Sequence, residues 1–383
     1  MKRKLSSQHI LIILFAIGFI LRITGLFNIT LAGDFEFHWC IAEKIVIEGF
    51  TPLLGPTASV NDALHLGPFY YYLLSIPYAL GGGNYKIAII FFSLLNSLSI
   101  FVLFYALKHW FTDSTSLKIT SLYTFSAYMI SVQNFPWNPY VLPTLITLIL
   151  FLIAKIQKKE FSYIPALAVT MGLSIQSHAT ALFLFPVVIL LLPLKKIPHR
   201  FIILGLFSFL LTMSSWIYVD VTSNFSQTKE ALAVFQPSET TDCSLTHYIK
   251  NHGNGERCFG QIRNSIFVAR MFTTSLFNTR NLLIVSIFSL LSAYFILKEK
   301  FKQKYLILLW VGIPWILYLF YSSNVYLHYF LIFFPIPFIL CTLILEKISS
   351  INSKTHFLSN VLFYLILILN LVITIQQLPI MRG

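Results

Sequence analysis

Two acidic residues and a histidine follow directly on the first long apolar run of this chain. In ITLAGDFEFHWCIAEKI, residues 29–45, Asp34, Glu36 and His38 come after the apolar segment 10–27. Carboxylates and imidazoles are common proton carriers in catalysis, and polar residues at a membrane boundary are candidates for function because burying them is costly. The stretch predicts a general base, although Asp34 could equally act as a structural cap at the positive end of the following helix.

Further polar and aromatic residues lie where other apolar runs begin or end. Imidazole, phenol, indole and amide groups donate hydrogen bonds to oxygen-rich ligands. We predict that such residues bind substrate beside Asp34; they are His65, Tyr71, Tyr72, Trp137, Asn138, His178, His328 and Tyr329. Because the histidines stand alone rather than four apart on one helix, no metal site is predicted. No cofactor is expected either, although a divalent cation is compatible with this chemistry.

Cations suited to phosphate recognition are a third group. Arginine forms bidentate hydrogen bonds with phosphate, and a lysine adds a point charge. The candidates are Lys86, Arg257, Arg263 and Arg270. Anionic lipid headgroups explain the same basic bias, so that alternative stays open. The sequence contains no Walker A, GxGxxG, HExxH or CxxC motif.

The elements that position these residues are apolar helices. The chain has 383 residues, of which 57% are hydrophobic and 11% charged, with a mean hydropathy of +0.77. A soluble domain carries about 25% charged residues, and apolar runs long enough to span a bilayer recur along this chain. We therefore predict an all-α polytopic membrane protein with about eleven transmembrane helices, within nine to thirteen. The spans are 9–27, 85–107, 116–133, 138–155, 161–177, 179–194, 201–219, 281–297, 304–322, 326–345 and 358–377.

Charge sets the predicted topology. The segments between these runs alternate in charge, and one set of alternate segments holds most of the lysines and the whole excess of +13. By the positive-inside rule this set is cytoplasmic, so the excess is not a nucleic-acid footprint. The N-terminus is then cytoplasmic, and the long segments 28–84 and 220–280 lie outside. In the second of these, Cys243 and Cys258 are free to form a disulfide.

The first outer segment is predicted to hold two interfacial helices. Residues 36–48 contain helix formers with Phe37, Ile41 and Ile45 on one face, followed by Gly49 at a position that ends helices. Residues 69–80 are apolar but too few to cross a bilayer. Both therefore lie along the membrane surface beside Asp34.

Four stretches resemble the GT-C superfamily of polytopic glycosyltransferases, especially the protein mannosyltransferase and aminoarabinose-transferase-like branch, glycosyltransferase family 39. They are Arg22 with GDFEFHWCIAEKI, GFTPLLGPTAS with HLGPFYYYLL, WNPYVLP with GLSIQSHAT, and YLHYFLIFFPIPF. In relatives an aspartate at the position of Asp34 is catalytic, and many have an acid directly after it. Here Phe35 stands at that place and Glu36 follows, so the base is Asp34 or Glu36.

The resemblance implies a membrane glycosyltransferase, moving a hexose or pentose from a polyprenyl-phosphate donor to a lipid, glycan or protein acceptor. Transfer would take place on the extracytoplasmic face of the cytoplasmic (inner) membrane, with inversion by single displacement. Residues 1–383 would form one transmembrane domain without a C-terminal soluble domain. The partners would be donor, acceptor and membrane lipids, with no nucleic acid. A secondary transporter or lipid flippase is the alternative, as is a polysaccharide polymerase or ligase.

Overall fold

The computed structural model describes residues 6–27, 29–58, 61–233, 260–298, 303–321 and 325–377. These residues are mainly α-helical, as apolar runs in a bilayer require, because a helix satisfies its own backbone hydrogen bonds. The first helices are α1 (Ser7–Ile23), α2 (Asp34–Ile47), α3 (Phe69–Gly81), α4 (Tyr85–Leu107), α5 (Asp113–Phe125), α6 (Ala127–Gln133), α7 (Leu142–Gln157), α8 (Ile164–Ser177) and α9 (Phe185–Leu191). The later helices are α10 (His199–Thr212), α11 (Ser214–Thr222), α12 (Ser226–Ala233), α13 (Gly260–Phe277), α14 (Leu282–Lys298), α15 (Lys304–Leu319), α16 (Ile336–Ser349) and α17 (Ser353–Gln376).

Shorter elements join these helices. A two-stranded antiparallel hairpin pairs β1 (Thr57–Ala58) with β2 (Asn61–His65) between α2 and α3. The 3-10 helices are Thr24–Phe27, Asn138–Val141, Phe161–Tyr163, Ala179–Leu184, Leu194–Lys196 and Leu327–Phe333. Several of them stand where a predicted span starts or stops.

Candidate membrane spans are fewer than the sequence predicts. Within the described residues, four helices are long and apolar enough to cross a membrane: Ser7–Phe27, Tyr85–Leu107, Asn138–Gln157 and Ser353–Gln376. The number rises to seven if each of three helix pairs, bent by 58–97°, is one span. The all-α membrane architecture is confirmed, whereas the count of eleven is not. Breaks within apolar runs shorten the helices; the predicted span 116–133, for example, divides into α5 and α6 at Ser126.

The main apolar core joins α1, α4, α7, α8 and the later helices into one bundle. A second, aromatic cluster holds α2 and α3 against the N-terminal half of α4. Phe35 and Trp39 of α2 are buried, with the Trp39 ring 5.0 Å from that of Tyr78. This cluster fixes the helix that begins with Asp34 onto the bundle. Gly49 follows α2 with φ of +69°, as predicted for a helix end.

Arg22 lies inside the bundle rather than at its lipid surface. Its side chain has no exposed area, and Nε donates to Oε1 of Gln133 at 2.9 Å. Nη1 donates to the carbonyl oxygens of Gly18 (3.0 Å) and Thr124 (3.4 Å), while the guanidinium carbon is 5.2 Å from the Tyr123 ring centre. One charged side chain therefore ties α1 to α5 and α6. Because α6 ends at Gln133, Arg22 also anchors the turn that follows it.

Candidate active site

A cavity of about 470 Å³ opens where α2, the hairpin, α3 and the turns before α7 and after α8 meet the 3-10 helix Leu327–Phe333. The structure thus brings together side chains separated by almost 300 positions in sequence. Eight predicted site residues line it: Asp34, His65, Tyr71, Trp137, Asn138, His178, His328 and Tyr329. The remaining lining is largely apolar, so any hydrogen bond made inside it is little weakened by water.

The other predicted residues lie elsewhere. Glu36 is exposed on α2, Tyr72 donates from its hydroxyl to the carbonyl of Pro52 (3.1 Å), and Lys86 is exposed at the start of α4; none of the three lines the cavity. Arg263 and Arg270 are on α13. Arg257 and the pair Cys243 and Cys258 fall outside the described residues, so their predicted roles stay predictions.

Asp34 is the first residue of α2. Gly33 precedes it with φ of +59°, a left-handed conformation that favours glycine, and no side chain caps this helix end. The exposed Asp34 lines the cavity and also an open groove of about 430 Å³. Trp137 borders both spaces as well. The cavity and the groove therefore adjoin each other at these two residues.

His38 also lines this cavity, although sequence reasoning did not place it among the site residues. It follows Asp34 by four positions, the spacing that places two side chains on one face of a helix. Its side chain is buried between the rings of Tyr70 (5.4 Å between centres) and Tyr71 (5.5 Å). Burial lowers the pKa of His38 to about 4, against the opposing effect of Asp34, so the imidazole is neutral at neutral pH. Burial likewise raises the pKa of Tyr71 to about 12.

Three aromatic residues from distant segments form the opposite wall. The ring of His328 lies 4.8 Å from that of Trp137 and 5.5 Å from that of His178, both edge-to-face. Nδ1 of His178 lies 2.7 Å from the hydroxyl oxygen of Thr180 and 3.3 Å from its backbone nitrogen, which holds the imidazole in place. Among the described residues, no group of three or more His, Cys, Asp or Glu is placed to hold a metal ion.

Hydrogen bonds between segments fix this wall. The hydroxyl of Tyr70 donates to the carbonyl of Pro136 at 2.5 Å, and Nδ2 of Asn138 donates to the carbonyl of Ser177 at 2.9 Å. The hydroxyls of Thr180 (3.2 Å) and Tyr318 (2.6 Å) both donate to the carbonyl of Tyr329. The turn before α7 is thereby joined to α3 and α8, and the turn after α8 to the 3-10 helix.

His65 closes the cavity from the hairpin side. Its backbone N–H donates to Oε1 of Gln227 (2.7 Å), and its carbonyl accepts from Nε1 of Trp216 (2.9 Å). Nδ1 of His65 is 3.1 Å from the carbonyl of Gly55, and a carbonyl can only accept, so Nδ1 carries the hydrogen. Trp216 of α11, at the end of the predicted span 201–219, and Gln227 of α12, in the segment 220–280, thus hold the hairpin in place.

Comparison with solved structures identifies this architecture. The chain is similar to ArnT, an aminoarabinose transferase from Cupriavidus metallidurans, bound to undecaprenyl phosphate: 15% identity, TM-score 0.56, over 97% of this chain and 72% of that one. Apo ArnT matches at 17% identity and TM-score 0.58, over 92% of this chain and 62% of its own. The chain therefore shares the fold of ArnT, a GT-C glycosyltransferase.

A second neighbour has the GT-C fold as well. The oligosaccharyltransferase AglB from Archaeoglobus fulgidus, in complex with an inhibitory peptide and a dolichol phosphate, matches at 13% identity and TM-score 0.52, over 96% of this chain and 55% of its own. These likenesses confirm the predicted fold, and the chain is an integral membrane protein. No protein-family model matches the sequence, and no curated protein sequence does.

In this GT-C fold, α13 brings one arginine close to the cavity. Arg263 is buried and within electrostatic reach of Tyr321, a residue that lines the cavity. Its neighbour Asn264 donates to the carbonyls of Tyr318 (2.7 Å) and Tyr321 (2.9 Å), which fixes α13 against this wall. Arg270 lies two turns further along, with a buried Nε that has no hydrogen-bond partner among the described residues.

Gly67, in the segment between the hairpin and α3, lies against the side chain of Gln176 in α8. A β-carbon there would lie 2.3 Å from Cγ of Gln176, whose side-chain amide accepts from the N–H of Phe69 (3.0 Å) and donates to the carbonyl of Thr212 (2.7 Å). We expect Gly67→Ala to lower the free energy of unfolding by about 1–3 kcal/mol, because overpacking displaces this amide. Thermal unfolding in lipid or detergent measures it. Gly312→Ala, which meets no atom within 4 Å in α15, is the control; equal melting temperatures for both variants would contradict the expectation.

Proposed function

We propose that this protein is a membrane glycosyltransferase that moves a sugar from a polyprenyl-phosphate donor to a lipid, glycan or protein acceptor. The GT-C fold supports the class, since the neighbours ArnT and AglB are an aminoarabinose transferase and an oligosaccharyltransferase. The donor class is supported by the undecaprenyl phosphate and dolichol phosphate bound by those proteins. The same likeness favours a transferase over a transporter or flippase.

The single observation that carries the proposal is the position of Asp34. Asp34 lines both a cavity of about 470 Å³ and an open groove, and aromatic and histidine side chains line the cavity with it. A transferase needs such a carboxylate between two ligands, because donor and acceptor must meet at one base.

The reaction we propose is an inverting single displacement. Asp34 accepts the proton of the acceptor hydroxyl while the hydroxyl oxygen bonds to the anomeric carbon of the sugar. The bond from that carbon to the phosphate oxygen breaks, and the polyprenyl phosphate leaves with its electron pair. His65, Tyr71, Trp137, Asn138, His178, His328 and Tyr329 would orient the sugar, since all of them line the cavity. Of the two acids left open by the sequence, Glu36 is not among the lining residues, which favours Asp34 as base.

A phosphate leaving group needs cations or hydrogen-bond donors rather than a general acid. Arg263 is the predicted phosphate ligand best placed for this role, because it lies beside Tyr321 at the cavity wall. Lys86 is exposed at the start of α4 and is not among the residues that line the cavity. Arg257 and Arg270 complete the proposed set.

The orientation proposed follows the charge pattern of the sequence. Lysine-rich connections would face the cytoplasm, and the cavity would open on the extracytoplasmic face of the inner membrane. Segments 28–84 and 220–280 would then form the outer cap of a single transmembrane domain, and Cys243 and Cys258 would be able to pair there.

Two measurements test the function. Mass spectrometry of surface glycans and lipids from cells with and without the gene should reveal one missing sugar, which names the donor and the acceptor class together. Purified protein in liposomes should then transfer that sugar from its polyprenyl phosphate. Unchanged glycans together with altered solute uptake would overturn the proposal in favour of a transporter.

A further inference from the structure

Resting on the function proposed above, we propose that His38 is a proton-relay residue, acting through Asp34. The sequence places His38 in the polar stretch that follows the first apolar run, without assigning it a role. In the structure, Asp34 and His38 are one helical turn apart and both line the same cavity. Two further observations favour a role in the site.

The first observation concerns the ring's surroundings. The His38 side chain is only 5% exposed, and the rings of Tyr70, Tyr71 and Phe37 enclose it, with centres 5.4, 5.5 and 5.7 Å away. Aromatic contacts on several sides restrict the imidazole to one orientation. A ring held in this way stays beside Asp34 without using hydrogen bonds to do so.

The second observation is an unsatisfied atom. Nδ1 of His38 is buried and has no hydrogen-bond partner among the described residues. Leaving a buried polar atom unpaired costs about 1–3 kcal/mol, so a histidine with a purely structural role would be expected to satisfy it. Nδ1 is therefore an unused acceptor, and it can take up a proton when the side chain of Asp34, one helical turn away, rotates to reach it.

The electrostatics are compatible with a relay. The titratable groups facing His38 are Asp34 from its own helix and Tyr70 and Tyr71 from α3. The phenol of Tyr71, with a pKa of about 12, stays neutral at neutral pH, and burial raises the pKa of Tyr70 as well. With its own pKa lowered to about 4, the imidazole is neutral between turnovers and returns a proton readily to water.

The proton of the acceptor hydroxyl passes through Asp34 and His38 to water. The acceptor hydroxyl loses its proton to Asp34 as its oxygen bonds to the sugar, and the leaving phosphate keeps the electron pair of the broken bond. The protonated Asp34 passes the proton to a ring nitrogen of His38, which becomes an imidazolium. The imidazolium releases it to water in the cavity. Asp34 is thereby returned to its anionic form for the next acceptor.

The test uses the full-length protein in liposomes with the donor named by the glycan measurement. His38→Gln keeps a polar side chain of similar reach but cannot carry the proton. We expect it to lower kcat roughly tenfold or more while changing the KM for the donor little. His9→Gln, on the exposed start of α1, is the matched control and should keep the wild-type kcat.

Chemical rescue separates proton transfer from packing. In His38→Ala, added imidazole should restore a large part of the lost kcat, whereas pyrazole, a ring of the same size and a much weaker base, should not. Equal rescue by both rings, or a wild-type kcat in His38→Gln, overturns the relay. The function proposed above survives that result if the wild-type protein still transfers sugar and Asp34→Asn does not. If the wild-type protein transfers no sugar, both proposals fail together.

Discussion

Replacing Asp34 with asparagine is expected to lower the rate of sugar transfer by about a hundred- to ten-thousand-fold, the usual contribution of a general base. The change keeps the size of the side chain and removes only its ability to take a proton. Because Asp34 is exposed at the first position of α2 and packs into no core, the variant should fold like the wild type. The measurement is the initial rate of transfer from the polyprenyl-phosphate sugar in liposomes, at equal amounts of inserted protein.

Glu36→Gln is the matched control for Asp34→Asn. It makes the same chemical change two residues further along the same helix, at an exposed position that does not line the cavity. We expect it to transfer sugar within a factor of about two of the wild type, as for a surface substitution of small effect. If Glu36→Gln were inactive and Asp34→Asn fully active, Glu36 would be the base and the assignment drawn from the cavity would be wrong.

Replacing Arg22 with alanine is expected to cost about 3 kcal/mol or more of folding stability. The change empties the space of a large, fully buried side chain and removes its hydrogen bonds to Gln133, Gly18 and Thr124. The substitution also removes the cost of burying a charge that has no acidic partner among the described residues, which offsets part of these losses. We expect the losses to be larger, because a cavity forms where α1, α5 and α6 meet. Thermal unfolding in lipid measures the net change in stability.

Arg22→Met separates the two contributions. Methionine fills most of the space without the charge, so its melting temperature should lie between those of the wild type and Arg22→Ala. Both variants should also lose activity, because Gln133 ends α6 and the turn that follows carries Trp137 into the cavity. A wild-type melting temperature in Arg22→Ala would show that this buried network does not hold the bundle together.

The sequence could predict Asp34 as a site residue because the signal is local. A carboxylate directly after an apolar run, followed by helix formers and Gly49, suffices to place it at the start of a helix on a membrane boundary. Trp137, His178 and His328 were predicted for the same reason, since each stands at the end of an apolar run. That Glu36 and Tyr72 would miss the cavity could not be predicted, because the direction of a side chain depends on which face of its helix packs inward.

The place of His38 in the cavity, by contrast, could not be predicted from the sequence. The spacing from Asp34 was visible in the sequence, but a histidine four residues after an acid on a helix is usually an ordinary neighbour. Only the packing of α3 against α2 encloses its ring with Tyr70 and Tyr71 and leaves Nδ1 unpaired. The surroundings of Arg22 could not be predicted either, because from the sequence its side chain could reach the membrane surface or face the interior. Its partner Gln133 lies 111 positions away.

By itself, the sequence determined that this chain is an α-helical membrane protein with the GT-C resemblance, and that its unusual polar residues gather at the ends of apolar runs. Hydropathy and helix signals are local properties, and a single segment carries each of them completely. The tertiary structure alone decided where runs break into shorter helices, which polar residues share one cavity and which lie outside it. Those outcomes depend on packing between segments far apart in the chain, and a contact between two segments cannot be inferred from either segment alone.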